Sequence, residues 1–421
     1  LRQGGPWNDG TAVLRESGNR AMGEPGLSVP GYPAIRFPGS PVFYMRQSHQ
    51  GPRASVGKRK VYIAACGIGL GHIGRVIAVA DELKNAGAEV VFSTYGPAYK
   101  YITSAGYRAY ESPMLMWEEE EDGSVSTAKS MRKVGSYIGV FRRHLAQEEE
   151  QIRKERPDAM ISDSRYSTVF VEDKFDIPFY FISNQIRFLM PGWRAGGFPR
   201  LASDIISAMN YHWLRNARGI FVPDFPPPDS ISRENMEVPP GILRRLTFTG
   251  PISRKTPEEL PDEAEIRKKY VQGGDLFVYA AVSGPGRSRQ PMLEALKAVL
   301  PGFKRKSVIV RGEPGNASNE WIDEWVNLRG WAEDRFELLK ACDVVVSRPG
   351  LTTISEIVRF GKPCLLIPTP AQSEQEGNAR SMEKLGAARL IAQKDVSHRT
   401  VKAALEDIVA RPDDYSRATS R

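Results

Sequence analysis

From Lys60 onward, short apolar runs alternate with stretches whose apolar residues recur every three or four positions. Residues 61–66 form the first run. Ile73, Val76, Ile77, Ala80 and Leu83 then fall on one helical face. A second strand is predicted at 90–93, with a helix near 98–105. The acidic run from Glu118 to Asp122 reads as a loop, and one long amphipathic helix is predicted over 126–156, ending before Pro157. Further strands are predicted at 159–161 and 179–182. Strands alternating with helices imply βαβ units and a parallel sheet covered on both faces.

Segment 186–220 breaks the rhythm by mixing five arginines with aromatic and aliphatic residues, Phe188, Trp193, Phe198 and Trp213 among them. It reads either as an interfacial element for an anionic membrane or as an ordinary inter-domain insertion. The Pro-rich run after it interrupts regular structure, and something new is expected to begin at 246–249. A second α/β set follows: a strand at 276–282, a glycine turn at 283–286, a helix from about 290, and strands at 307–310, 327–330, 344–346 and 364–367. Helices are predicted at 334–342, from 351, at 373–386 and at 398–410. The expected organisation is a Gly/Pro/Arg-rich disordered tail (1–58), a first domain (59–240), a second domain (241–411) and a short C-terminal tail (412–421).

Composition changes this picture in one respect. The net charge is +8, but residues 1–60 hold nine Lys/Arg against three Asp/Glu, so most of the excess lies in the tail. The two domains are close to neutral, which argues against nucleic acid as a partner. The chain has no transmembrane run. Cys66, Cys342 and Cys364 are far apart and lie at or beside apolar strands, without a CxxC or His/Cys cluster for a metal. They read as reduced core thiols of a cytoplasmic protein.

Two stretches carry candidate chemistry. SRPGLTTISEI, from Ser347, joins a buried strand to a helix through a Pro-Gly turn. The helix start leaves backbone N–H groups and a positive dipole end at Gly350, Leu351, Thr352 and Thr353, which suits a phosphate. Glu356 lies one turn on, where a carboxylate can hold a ribose diol. Glu374 and Gln375 follow the next strand and can bind neighbouring sugar hydroxyls, or simply form a helical first turn. Gly284 and Gly286 make another anion-friendly turn, and Trp331 borders a base pocket or packs in the core.

The other stretch, GIGLGHIGR from Gly67, contains a shifted G-x-G-x-x-G. The second strand ends without the acidic residue a dinucleotide site requires, which disfavours redox cofactors. Gly69 and Gly71 instead carry His72 to a helix N-terminus, where the positive end favours a neutral imidazole able to act as a base. Packing or capping of the turn is the alternative role. Asp163 closes a strand and either bonds His72 or an acceptor hydroxyl, or caps the next helix.

Together these stretches resemble the GT-B glycosyltransferases, especially the family of the bacterial N-acetylglucosaminyltransferase that completes the lipid-linked peptidoglycan precursor. They are also similar to archaeal transferases with a GLGH-type first loop. The resemblance spans roughly 60–410 and implies two Rossmann-like domains facing across a cleft, with a UDP-sugar in the second and the acceptor in the first. It implies that Glu356 binds ribose, that the amides at 350–353 bind the diphosphate, and that Glu374 and Gln375 contact the sugar. His72 then matches the His of the family's first glycine loop. The chain departs from the bacterial pattern in SGPG at 283–286, against GGSQG, and in GIGLGH, against GGTGGH. The expected reaction is inverting transfer of a hexose or N-acetylhexosamine, without a metal or other cofactor, to an acceptor such as a lipid-linked phosphate or saccharide. A UDP-sugar 2-epimerase and a non-catalytic nucleotide-sugar-binding module are the alternatives. The first needs carboxylates and a basic cluster beside the sugar, a grouping the sequence does not display.

Overall fold

In the computed structural model, which describes residues 34–35, 43–44, 58–69, 71–116, 118–120, 124, 126–272, 275–282, 284 and 286–420, the apolar runs become two seven-stranded sheets. The disordered-tail expectation for 1–58 falls almost wholly outside these residues, as does Leu70.

The first sheet is built from β1 (Lys60–Ala65), β2 (Glu89–Thr94), β3 (Arg108–Glu111), β4 (Ala159–Asp163), β5 (Phe179–Ile182), β6 (Gly219–Val222) and β7 (Leu246–Phe248). Their order is 3-2-1-4-5-6-7, and every pairing is parallel. Alternate residues of β1 face opposite layers, so Ile63 packs with α1 (Gly71–Asn85) while Tyr62 packs on the other side with Met160 and Phe181. The helices feeding that second side include α2 (Val134–Glu155) and α3 (Tyr166–Val171).

The second sheet contains β8 (Phe277–Ala281), β9 (Lys306–Val310), β10 (Asn319–Trp321), β11 (Val326–Arg329), β12 (Val344–Ser347), β13 (Cys364–Leu366) and β14 (Ala388–Leu390). Its order is 10-11-9-8-12-13-14, parallel throughout except for the β10–β11 pair. Each sheet therefore reverses its winding beside its first strand, between β1 and β4 and between β8 and β12. In open α/β sheets the crevice at such a reversal, beyond the carboxyl ends of the strands, is the place a ligand can enter. Two doubly wound domains are the architecture expected from the strand–helix alternation, and their facing across a cleft is what the family resemblance implies.

Four expectations need correction. Strand β7 pairs with β6, so the first sheet runs to Phe248 and a boundary at 240/241 would cut off its last strand. The Pro-rich run is a turn inside this domain. The buried Asp224 carboxylate holds it by accepting from the backbone N–H groups of Phe225, Ile231 and Ser232 and from the Ser230 hydroxyl. The long helix is two helices, Thr127–Arg132 and Val134–Glu155, broken at Lys133. The expected C-terminal tail is a helix, Pro412–Ser420, whose Tyr415 is buried in the second domain's core. Among the described residues no helix is long and apolar enough to cross a membrane.

Candidate active site

The first glycine loop leaves β1 and reaches α1 through Gly69, whose φ of +78° suits a residue without a Cβ. His72 is the second residue of α1. Its Nδ1 lies 2.6 Å from Asp163 Oδ1 at the end of the neighbouring strand β4. Arg75, one turn along α1, donates through Nη2 to the same Asp163 oxygen at 2.6 Å and through Nε to the other. Asp163 is not the cap of α3, because Arg165 holds that position. Burial alone would raise the Asp163 carboxyl; the Arg75 charge, His72 and the bonds from both outweigh it and hold the carboxyl below its usual range. Burial likewise works against the Arg75 guanidinium, but Asp163 raises it above its ordinary value.

Arg75 Nη2 also lies 2.9 Å from His72 Nδ1. One nitrogen cannot both donate to Asp163 and accept from Arg75. The carboxylate contact is the shorter, so we assign the proton to Nδ1, donated to Asp163. That tautomer leaves Nε2 as the free lone pair, as a general base requires.

Across the cleft, α4 (Leu351–Arg359) begins at Gly350, and no side chain caps it. Leu351, Ile354 and Ile357 bury one face against the sheet, which fixes the helix and aims its first amides into the cleft. The Thr352 hydroxyl donates to the Gly71 carbonyl of the first domain at 3.0 Å. A Cβ on Gly71 would stand 3.3 Å from that hydroxyl, so a glycine there lets the two helix starts approach. Just before the turn, Arg348 is buried and donates to the Ile367 and Ser288 carbonyls and to Gln393 Oε1. Its Nε has no partner among the described residues, and burial pushes the guanidinium down to about 10.

Two adjoining hollows share Gly71, Thr352 and Thr353. The first encloses about 840 Å³, partly open to solvent, between Tyr101, Tyr279, Trp331, Arg335 and Glu356. Trp331 is therefore not sealed in the core: its ring meets Tyr101 of the first domain edge-on at 5.4 Å. Glu356 accepts both Arg335 guanidinium bonds, at 2.8 and 2.9 Å. Each carboxylate oxygen keeps a lone pair, so the pairing orients Glu356 without exhausting it. The second hollow encloses about 1130 Å³ and is lined by His72, Asn184, Gln185, Gly284, Arg348 and Glu374.

The structure thus brings His72, Asp163, Gly69 and Gly71 to one wall and Gly350 to Thr353, Glu356, Glu374, Gln375, Gly284 and Trp331 to the other. Gly286 opens a single 3₁₀ turn beside Gly284, while Ser283 and Pro285 lie outside the described residues. Glu374 is not simply open to a ligand, because Asn184 and Gln185 hold its carboxylate from the first domain. The Gln375 carbonyl is also occupied, by the Thr369 N–H at 2.9 Å, so only its NH₂ could still serve a ligand. Sequence reasoning missed Arg75, Asn184, Gln185, Arg335 and Arg348. Arg75 had a legible signal, standing three residues after His72 and so on the same helical face. Asn184 and Gln185 meet Glu374 only through tertiary folding.

Residues 317–421 match the family described as "Glycosyltransferase family 28 C-terminal domain". A Methanosarcina mazei protein named "Uncharacterized glycosyltransferase" is 29% identical, the alignment covering 86% of this chain and 93% of that protein. A UDP-N-acetylglucosamine–N-acetylmuramyl-(pentapeptide) pyrophosphoryl-undecaprenol N-acetylglucosamine transferase of Desulfitobacterium hafniense is 33% identical over 188 residues, which is 41% of this chain and 50% of that one. Among solved structures, the glycotransferase of kitacinnamycin superposes with a TM-score of 0.60 at 18% identity, covering 88% of this chain and 94% of that chain.

Proposed function

Because the chain is a GT-B glycosyltransferase related to the bacterial pyrophosphoryl-undecaprenol N-acetylglucosamine transferases, we propose that it moves a hexose or N-acetylhexosamine from a UDP-sugar to a lipid-linked acceptor with inversion at the anomeric carbon. One observation carries the reading. A paired imidazole and an uncapped helix start face one cleft from opposite domains, joined by the Thr352–Gly71 bond.

In this reading the base and ribose of UDP occupy the hollow between Trp331 and Glu356, and the diphosphate lies at the amides of 351–353. The sugar projects toward Glu374 and Gln375. His72 Nε2 takes the proton of the acceptor hydroxyl as its oxygen bonds to the anomeric carbon. The bond from that carbon to the diphosphate breaks, and UDP departs with the electron pair. Asp163 stabilises the imidazolium as it forms. The helix-end amides and the buried Arg348 charge take up the charge of the leaving group, so no metal is required.

A second observation favours a lipid acceptor. Helix α5, Gly197–Trp213, is amphipathic the wrong way round for a soluble surface. Its buried face is polar: Ser203, Ser207 and Asn210 bond the backbone of 186–190. Its outer face carries Phe198, Leu201, Ile205 and Met209 at exposures of 80, 58, 52 and 45%. Residues 187–218 hold five Arg and one Asp, a balance suited to an anionic surface at the inner face of a membrane. The loop bonded to α5 supplies Asn184, Gln185 and Phe188 to the second hollow.

The test is UDP release from UDP-N-acetylglucosamine with lipid-phosphate and lipid-diphosphate acceptors. Acceptor-dependent release, with a β-linked product from the α-linked donor, is expected. Conversion of the donor without any acceptor would identify an epimerase, and binding without turnover a non-catalytic module.

A further inference from the structure

Glu374 belongs to the second domain, yet its carboxylate is held chiefly from the first. Asn184 Nδ2 donates to Oε1 at 2.8 Å and Gln185 Nε2 to Oε2 at 2.7 Å. Asn378, from the same helix as Glu374, adds a longer bond to Oε1 at 3.3 Å. An ionised carboxylate offers about four acceptor positions, so three amide donors leave one, on Oε2. Asn184 is itself buried and tied back, its Oδ1 lying 3.4 Å from Arg75 Nη1 and its Nδ2 3.4 Å from the Ser232 hydroxyl. Arg75 in turn bonds Asp163, which holds His72. A continuous line of polar contacts therefore runs from His72 through Asp163, Arg75 and Asn184 to Glu374, and it crosses the domain seam at the Asn184 amide.

We propose that Asn184 and Gln185 form a cross-domain clasp that determines how Glu374 reads the donor sugar and ties donor occupancy to alignment of the base. The proposal rests on the UDP-sugar reading above and makes both amides positioning residues. With the clasp closed, Glu374 accepts a single sugar hydroxyl; a vicinal pair would have to displace Asn184 or Gln185. A nucleotide without a sugar does not reach Glu374, so its binding is indifferent to the clasp.

Calorimetric titration of the full chain with UDP and with UDP-N-acetylglucosamine separates these effects. The Asn184→Ala/Gln185→Ala double variant is expected to lose at least about tenfold in affinity for the UDP-sugar while its affinity for UDP stays within about twofold, with an unchanged circular dichroism spectrum. Equal affinities of variant and wild type for both probes overturn the proposal. Asn184→Asp gives an independent readout: it keeps the side chain's size but replaces the amide donor to Glu374 with a second carboxylate. It should weaken UDP-N-acetylglucosamine binding by at least about tenfold while leaving UDP affinity within about twofold, and unchanged affinity for UDP-N-acetylglucosamine removes the clasp from sugar recognition. Failure of wild type to bind either probe is a different result, which overturns the donor reading and the clasp's sugar role with it.

Discussion

In the proposed reaction the chemistry turns on His72 and Asp163, and their environments make separable claims. A positioned general base contributes about 10²–10⁴-fold to a rate. His72→Ala should therefore lower kcat by at least about 100-fold and leave UDP affinity unchanged, as read by coupled UDP release and titration. Asp163 has a second, structural consequence. Its folded pKa is depressed, so its contribution to stability is complete above the unfolded value of about 3.9 and is lost as pH falls through the lower folded value. Asp163→Asn should remove that part of the acid dependence. It should also cost about 3–5 kcal/mol at neutral pH, because Arg75 is left buried without its carboxylate. Urea unfolding at several pH values measures both. His72 and Asp163 were legible in the sequence because His72 opens a helix behind a glycine-rich loop and Asp163 ends a recognisable strand. Their pairing with Arg75 was not, because nothing local specifies which strand lies beside β1.

At the scale of elements, the apolar period located most strands and helices, and failed where a strand is short and half exposed. β3, β6, β10 and β14 are partly exposed, so they lack the continuous apolar run that marks the equally short but fully buried β5, β12 and β13. The break at Lys133 carries no Pro or Gly signal. Helix α5 was legible as an unusual mixture of arginine and apolar residues, but its inverted orientation depends on Ser203, Ser207 and Asn210 bonding a loop. Two substitutions separate a helix held by its core from a helix offered to a surface. Ile354→Ala, on the fully buried face of α4, should cost about 2–5 kcal/mol in chemical denaturation. Ile205→Glu, on the exposed face of α5, should change stability by less than about 0.5 kcal/mol. It should nevertheless abolish sedimentation with vesicles of phosphatidylcholine and phosphatidylglycerol; unchanged sedimentation would take α5 out of membrane contact.

The whole molecule is two crevices turned toward each other, and the proposed function assigns the donor to one and the base to the other. The two-domain organisation was legible because strand–helix alternation stops and resumes around the Pro-rich run. The boundary was misplaced because Asp224 folds that run into the first domain as a turn. The half of the cleft assigned to the donor was legible as one wall because a Pro-Gly turn, a helix start and Glu356 are contiguous in the chain. The seam was invisible because Thr352 meets Gly71 and Glu374 meets Asn184 only after both domains are complete. The central claim is that UDP is held between Trp331, Glu356 and the start of α4. Calorimetric titration of UDP into wild type and Glu356→Gln, with matched unfolding curves as a folding control, tests it most directly. Stoichiometric binding by wild type and at least about tenfold weaker binding by the variant, or about 1.4 kcal/mol, is the expected result; no UDP binding by wild type, or equal affinity in both proteins, would contradict it.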